Sequence, residues 1–336
     1  MPVPSKYINI VFLIKESVKN TEKKVFFFKS IAELFYICSR FKRILIMIGV
    51  NLKYSVVKEL ITSFFCMLSI LSLSAQDSYS SLSREYAPGA LESLSPSGGN
   101  YVETAMGPNL RMVFVDGGTF EMGATAEQAK DAANTERPVR KITMSPYYIG
   151  MFEITQEQWK KVMGTTVQDL GHDMRGVGAD FPMYYVSWDD AMEFCQKLSE
   201  QSGKTYTLPT EAQWEFAARG GVYSKKTKYS GSPYANVVSW NADNSVKKTH
   251  AVGTKAGNEL GIYDMCGNVW EWCLDWYGDY RVYDTSDPQG AASGTTRVNR
   301  GGSWLSSAKF CRVSTRDNDK PTLRGNNLGF RVVMIP

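Results

Sequence analysis

The chain of 336 residues is 43% hydrophobic and 12% aromatic, which gives it enough apolar side chains for a sizeable core and excludes an intrinsically disordered protein. Up to Ala75 there are 11 Lys/Arg and 4 Asp/Glu, whereas the rest has 27 and 30, so nothing after Ala75 favours nucleic acid as a partner. Six cysteines occur without a Cys-x-x-Cys pair, beside only two histidines, which argues against a zinc site or a multi-histidine iron site.

Residues 47–75 have the pattern of a secretory signal peptide. Lys53 and Lys58 make a basic region, and an apolar stretch follows from Leu60 to Leu73. Small residues then lead to a cleavage site after Ala75. The alternative is a short membrane anchor, but the apolar stretch is shorter than the ~20 residues of a spanning helix. We therefore expect an exported protein, in the periplasm, at the cell surface or outside the cell, with no stable membrane span in the mature chain.

Two further segments flank this signal. Residues 1–46 precede a complete signal peptide, so we interpret them as a gene-model extension and Met47 as the true start. Residues 76–109 are rich in Ser, Gly and Pro, which is typical of a linker. Cys66 lies behind two phenylalanines, a context that does not suit a lipoprotein cleavage site, so no lipid anchor is expected.

The first elements after the linker are predicted to be strands. Met112–Val115 and Thr119–Met122 flank the turn Asp116–Gly118, which predicts a β-hairpin. Apolar residues alternate again over Lys141–Ile149, which indicates a further strand.

Three helices are predicted from residues that suit N-terminal capping, namely Thr155, Ser187 and Thr210. The first stops at Gly164, the second ends near Gly203, and a Gly-Gly pair at 220–221 follows the third. Beyond Gly221, Gly and Asn are dense and helical periodicity is poor, which predicts loops and short strands.

Seven strings follow one another along the chain: Met112–Gly123, Glu153–Thr155, Val186–Ala191, Leu208–Glu215, Gly261–Trp272, Arg300–Trp304 and Asn326–Arg331. In this order they resemble the formylglycine-generating enzyme (sulfatase-modifying factor) family. The resemblance implies that residues 110–336 form one α+β domain, a loop-rich variant of the C-type lectin fold with little regular secondary structure. It does not fix the activity, because similar domains serve as copper-dependent oxidases, sulfoxide synthases, secretion and gliding components, and variable ligand-binding proteins.

The copper chemistry of the family's oxidases needs two cysteine thiolates shortly after the Gly-Gly-Ser string. Counting forward from Ser303, the first cysteine position falls on Ser306 and the second on Cys311. Counting back from Arg316 instead makes Cys311 a generic apolar position. Either way the thiol pair is missing, so we do not expect copper. The resemblance also places Ser303 and Trp270 where the oxidase lines its oxygen pocket, so an oxidase would use Cys311, Ser303 and Trp270, whereas the alternative gives them structural roles.

The resemblance further implies a calcium ion held by oxygen atoms of Asp264, Gly267, Val269 and Glu271. Two carboxylates and two loop carbonyls are suitable hard ligands for this ion. The alternative is that Glu271 pairs with an arginine such as Arg331, with no ion. A second, weaker family site would fall on Asn244 and the carbonyl of Val246.

The C-terminal segment lines the ligand groove in the family, which makes five residues candidates for binding: Trp304, Arg312, Arg316, Asn326 and Asn327. An exposed Trp304 with arginines and amides suits a polar ligand, a peptide or a sugar. The alternative is that the arginines form internal ion pairs, because loop-rich domains need side chains to satisfy their backbone groups.

Three cysteines are ambiguous. In the family fold, the strings that contain Cys273 and Cys311 pack together, so a disulfide between them is an option in an oxidising compartment. Cys195 lies on the apolar face of a predicted helix and is expected to be a small buried hydrophobe.

We therefore interpret the chain as an exported family domain that binds a protein, peptide or carbohydrate and is not a copper oxidase. Two alternatives stay open. The first is a formylglycine-generating oxidase that converts a sulfatase cysteine. The second is a component of a secretion or gliding machine of the cell envelope.

Overall fold

The computed structural model of the chain describes residues 99–104, 110–128, 130–281, 283 and 285–336. The predicted gene-model extension and signal peptide, and most of the predicted linker, lie outside these residues. No helix in the described ranges combines the length and the apolar character needed to cross a membrane.

Short strands and helices alternate with long loops. The strands are β1 Tyr101–Glu103, β2 Leu110–Val115, β3 Gly118–Met122, β4 Arg140–Met144, β5 Tyr147–Gly150, β6 Tyr206–Thr207, β7 Trp270–Trp276, β8 Arg297–Arg300, β9 Arg316–Asp319, β10 Leu328–Gly329 and β11 Val333–Met334. The α-helices are α1 Gln156–Met163, α2 Val167–Leu170, α3 Trp188–Ser202, α4 Glu211–Ala218 and α5 Ala235–Val238. Short 3₁₀ turns occur at Asn134–Glu136, Gly221–Tyr223 and Ala308–Phe310.

The strands form two curled sheets and one isolated pair. One sheet has the order β1-β2-β5-β11-β6, the other has the order β10-β7-β8-β9, and β3 pairs with β4. The mixed α+β architecture predicted from the sequence is therefore confirmed. The strand β1 lies inside the segment predicted to be a linker, so regular structure begins earlier than expected.

The predicted hairpin between β2 and β3 does not form. Almost every residue of β2 is buried, and β2 is bonded on one side to β1 and on the other to β5. β3 instead pairs antiparallel with β4. Gly117, in the turn between β2 and β3, is packed so tightly that an added Cβ would lie 2.7 Å from the carbonyl oxygen of Met144. Long-range burial of β2 therefore overrides the local turn signal.

The three predicted helices form with their predicted caps. The hydroxyls of Thr155, Ser187 and Thr210 each accept a hydrogen bond from the backbone N–H three residues later, in capping boxes. α1 and α3 end at Gly164 and Gly203, which adopt φ of 77° and 71°. These helix boundaries were predictable because capping depends only on residues close in sequence.

Two apolar clusters form the core. In one of them, Trp159 of α1 stacks on Phe194 of α3 with ring centroids 5.8 Å apart, and Phe330 meets both edge-on. The other surrounds Trp214 and Phe216 of α4. Because β8 ends against this second cluster, the loop that starts at Gly301 is held in a fixed position. This loop carries the candidate site.

Candidate functional site

The loop after β8 folds back on itself through two serines. Gly301 and Gly302 adopt φ of 95° and 76°, which turns Ser303 inward until it is fully buried. The Oγ atoms of Ser303 and Ser306 lie 3.1 Å apart, and the backbone N–H of Ser303 donates to Ser306 Oγ at 3.1 Å. The amide of Asn327 donates to Ser303 Oγ at 3.3 Å, which joins this loop to the C-terminal segment.

Cys311 lies behind the same loop. A Cβ on Gly302 would lie 2.6 Å from Cys311 Sγ, so the thiol is packed directly against the glycine. The side chain is fully buried, and this burial raises the pKa of the thiol to about 12. Ser306 is the group that contacts Ser303, at the position where the first thiol was expected.

Trp304 is buried rather than exposed, which corrects the sequence-based expectation. Its accessible fraction is 3%, and its indole N–H donates to the carbonyl of Asn326 at 3.2 Å. The guanidinium of Arg175 lies over the ring at 5.4 Å. Asp173 holds that guanidinium at 2.9 Å and also accepts from the amide of Asn326 at 3.0 Å. The surface at this point is therefore formed by Asp173, Arg175, Asn326 and Asn327.

Arg312 and Arg316 do not line this surface. Arg312 donates to both carboxylate oxygens of Glu136, at 2.8 and 2.6 Å. Arg316 donates to both oxygens of Glu211, at 2.6 and 2.7 Å. Both guanidinium groups are buried, so the structure follows the alternative in which the arginines form internal ion pairs.

All four described cysteines, at positions 195, 266, 273 and 311, are free and buried. The structure thus contains no Cys273–Cys311 disulfide. Cys195 lies on the apolar face of α3, as predicted.

The comparison with known families adds a decisive match. The model of the sulfatase-modifying factor enzyme 1-like domain matches residues 100–335. The chain belongs to this family.

Relatives of this sulfatase-modifying factor domain have diverse names. Chaperone protein LppX of Paenibacillus barcinonensis is 30% identical over 272 residues, which cover 66% of this chain and 88% of the relative. The inactive Cα-formylglycine-generating enzyme 2 of Bos taurus is 28% identical and covers 71% and 92%. The formylglycine-generating enzyme of Mus musculus is 28% identical and covers 66% and 74%.

Solved structures confirm the fold. The Treponema denticola variable protein 1 superposes with a TM-score of 0.63 at 31% identity, over 72% of this chain and all of that one. PvdO from Pseudomonas aeruginosa superposes with a TM-score of 0.60 at 25% identity, over 70% and 98%. The formylglycine-generating-enzyme-type fold predicted from the seven strings is therefore confirmed.

The four residues predicted to bind calcium include carbonyl and carboxylate oxygens, which are suitable ligands. However, the Glu271 carboxylate already accepts hydrogen bonds from other side chains. Its two oxygens accept from Arg331 at 2.7 Å each, and one of them also accepts from the indole of Trp214 at 2.7 Å. Asp264 is buried with φ of 58°, and its Oδ2 accepts from the N–H of Gly253 at 2.7 Å. A calcium ion would have to share the Glu271 carboxylate with Arg331, so the four-residue ligand set stays a prediction.

The second family site, on Asn244 and the carbonyl of Val246, stays a prediction. The side-chain amide of Asn244 donates to the carbonyl oxygen of Ser239 and to Asn236 Oδ1. Its own Oδ1 accepts from the backbone N–H of Asn241. Val246 is 80% exposed at φ of 54°. Within the described residues, no group of three or more His, Cys, Asp or Glu side chains is arranged to hold a metal ion.

The sequence did not predict two sets of contacts near the candidate site. The loop with Asp173 and Arg175 reaches the C-terminal segment, and the N–H of Arg175 donates to Tyr184 Oη at 2.7 Å. Buried Glu153 accepts from the amide of Asn268 and from the N–H of Val269, at 2.6 and 3.1 Å. The sequence features that could have indicated these contacts are the charges in the Gly-rich segment 171–178 and the motif string that contains Glu153. Neither feature indicates which residue is the hydrogen-bond partner.

Proposed function

We propose that this chain is an exported, non-oxidase member of the sulfatase-modifying factor family, which binds a ligand or partner protein at the surface of Asp173, Arg175, Asn326 and Asn327. The observation that carries the proposal is the contact between Ser306 and Ser303. A hydroxyl takes the position of the first thiolate, and a neutral hydroxyl is a poor ligand for a soft Cu(I) ion, which prefers thiolate sulfur.

The packing of Cys311 supports the same conclusion. Its sulfur is enclosed behind Gly302, lies 3.8 Å from the carbonyl oxygen of Ser307, and is also hydrogen-bonded with Ser239 and with the backbone of Ser303. A single enclosed thiol cannot supply the linear two-sulfur arrangement that the family's oxidases use.

The proposed binding surface has the composition expected for recognition of a neutral polar ligand. Arg175 and Asp173 pair with each other at the surface, with side chains 34% and 53% exposed. Asn326 and Asn327 add amides, and Leu305 next to them is 58% exposed. Charges that are already paired leave hydrogen bonding and apolar contact as the means of recognition.

The names of the relatives are consistent with this proposal. One relative is called a chaperone, another an inactive enzyme, and one solved neighbour a variable protein. The family therefore contains members whose names indicate a role other than oxidation.

The activity is tested by oxygen consumption with copper present and a peptide that contains the Cys-x-Pro-x-Arg sequence of sulfatases. We expect no turnover and no tight Cu(I) binding, while an active family oxidase assayed in parallel turns over. Turnover by this chain would overturn the proposal.

The binding surface is tested with a photoreactive amino acid placed at Leu305 of the chain in its native host. A matched control places it at Val222, which is 49% exposed in the 3₁₀ turn Gly221–Tyr223. We expect a discrete adduct from Leu305 that Arg175→Glu removes. Equal adducts from both positions contradict the proposed surface.

Export is tested by fusing residues 47–75 to alkaline phosphatase, which gains activity only outside the cytoplasm. We expect an active fusion, and an inactive one when Leu60–Leu73 is interrupted by two arginines. An inactive intact fusion contradicts export.

A further inference from the structure

One side of the β7-β8-β9 sheet carries a second cluster of aromatic and polar side chains. We call it the indole face and define it by Trp188, Trp276, Arg297, Asn299 and Asp319. Antiparallel pairing aligns Trp276 with Arg297, and Arg297 with Asp319. Asn299 lies two residues along β8 and so points to the same side as Arg297. Trp188, at the start of α3, lies over that side.

Arg297 is held between the two indoles. Its guanidinium carbon lies 3.7 Å from the ring centre of Trp188 and 3.5 Å from that of Trp276. Nη1 donates to the carbonyl of Leu274 at 2.7 Å. Among the described residues, no carboxylate oxygen lies within 4 Å of the Arg297 guanidinium, so Arg297 forms no ion pair there. Arg297 is thus a partly buried cation whose planar group is positioned by stacking and by one carbonyl.

Two polar atoms of the indole face have no partner. The Nε–H of Arg297 is a buried donor without an acceptor, and Oδ1 of Asn299 is a buried acceptor without a donor. The Asn299 side chain is 1% exposed, and its amide donates to Asp319 Oδ2 at 3.0 Å. Because buried polar groups are almost always hydrogen-bonded, these two atoms are the groups of the indole face that a ligand would pair with.

The chemistry of such a ligand follows from what the two atoms need. Arg297 Nε needs an acceptor and Asn299 Oδ1 needs a donor. A carboxylate or phosphate would satisfy only Arg297 and would face Asp319 and the exposed Asp189. An ammonium group would satisfy only Asn299 and would be repelled by Arg297. A hydroxyl both donates and accepts, so it suits both atoms.

We propose that the indole face binds a neutral polyhydroxylated ligand, a saccharide chain, whose hydroxyls pair with Arg297 Nε and Asn299 Oδ1 and whose C–H groups contact the two partly exposed indoles. Asp319 provides a further acceptor for hydroxyls. Both atoms are buried, so binding requires the Arg297 side chain to shift.

The surroundings give room for more than one sugar ring. Asp189, the residue after Trp188, lines a cavity of about 370 Å³ on the outer side of α3. The rest of its lining combines apolar and hydrogen-bonding side chains, namely Met192, Glu193, Cys195, Gln196 and Tyr206. An extended chain fits such a surface better than a single small molecule.

This inference is independent of the proposed function, since it uses none of the residues around Ser303. It is tested by isothermal titration calorimetry of the full mature chain with three neutral hexasaccharides, built from α-1,4-glucose, β-1,4-glucose and β-1,4-N-acetylglucosamine. We expect at least one to bind and Trp276→Ala to weaken that binding at least tenfold.

The matched control is Trp240→Ala. Trp240 is also partly exposed and stacked, on His250 at 3.7 Å, but it lies outside the indole face. We expect this variant to bind as tightly as the wild type. Asn299→Leu, which removes the orphan acceptor while leaving both indoles, should weaken binding as well, and thermal unfolding of each variant checks that it is folded.

Three results would overturn the inference. The first is no binding of any of the three probes at millimolar concentration. The second is equal weakening by Trp276→Ala and Trp240→Ala. The third is tighter binding of a sulfated or an amino-substituted hexasaccharide than of the neutral ones, because the site would then select charge.

Discussion

Arg331 and Glu271 form a two-bonded ion pair in the centre of the domain, with Nε and Nη2 of the arginine each 2.7 Å from a carboxylate oxygen. Neither residue has accessible surface. Arg331 also donates to the carbonyls of Gly150 and Tyr263, both at 2.9 Å. One side chain therefore joins β5, the loop before β7 and β7 itself.

Replacing Arg331 by Met should destabilise the domain by about 3–5 kcal/mol, because it leaves the Glu271 carboxylate buried without a counter-charge. The measurement is the free energy of unfolding in urea, with a chelator present to remove calcium. Lys197→Ala, which breaks the exposed Lys197–Glu193 pair, is the control and should change stability by less than about 1 kcal/mol. A loss below about 1 kcal/mol for Arg331→Met would show that Glu271 has another counter-ion.

Calcium is the natural candidate for such a counter-ion, and its prediction has a separate measurement. We expect calcium to give a binding heat in calorimetry with the wild type and a much weaker one with Glu271→Gln, which keeps an acceptor for Trp214 but loses the charge. Gln196→Ala, on the exposed side of α3, is the control. Equal binding by wild type and Glu271→Gln would remove Glu271 from the ligand set.

Asp275 should make stability depend on pH. Burial, with the neighbouring Glu211 carboxylate, raises its pKa to about 7, above the ~3.9 of an unfolded chain. Between these values the folded state binds more protons than the unfolded state, so the contribution of Asp275 to stability is present at low pH and is lost as the pH rises to about 7.

The check is the pH dependence of unfolding for wild type and Asp275→Asn. Asn keeps the acceptor for the N–H of Glu211, which lies 2.8 Å from Asp275. Relative to the variant, the wild type should lose stability from about pH 4 to about pH 7, by roughly 1.4 kcal/mol for each unit of pKa difference. Parallel curves would show that Asp275 titrates normally.

Two glycines with nearly the same φ offer a test of packing around Cys311. Gly164 and Gly302 have φ of 77° and 76°, but a Cβ on Gly164 meets open space, whereas one on Gly302 meets Cys311 Sγ. Gly164→Ala should cost about 1–2 kcal/mol through backbone strain alone. Gly302→Ala should cost at least about 1 kcal/mol more, because the thiol must move.

Thermal or urea unfolding of both variants measures the difference. If Cys311→Ala is added to Gly302→Ala, the extra loss should shrink only in part, because the sulfur is gone but the carbonyl oxygen of Phe310 still lies 2.8 Å from the added Cβ. Equal costs for the two single variants would mean that Cys311 does not press against the loop.

How far the sequence predicted the candidate site depended on the distance between partners. Ser303 and Ser306 are three residues apart, so their contact involves only residues that are close in sequence. Arg312 and its partner Glu136 are 176 residues apart, and nothing local distinguishes an arginine paired in this way from one that faces a ligand. The burial of Trp304 was missed for the same reason, because the loop that covers it carries Arg175.

By itself, the sequence determined the family and the three capped helices, because each depends on side chains close together along the chain. The tertiary structure decided the rest. Because β2 is buried between β1 and β5, it does not form the expected hairpin with β3. The arginines expected to line the groove instead form ion pairs with buried carboxylates. Pairing of β7, β8 and β9 brought Trp276, Arg297 and Asn299 to one face. These outcomes depend on which segments, far apart in the sequence, bury their surfaces against each other. That is decided only when the whole chain packs.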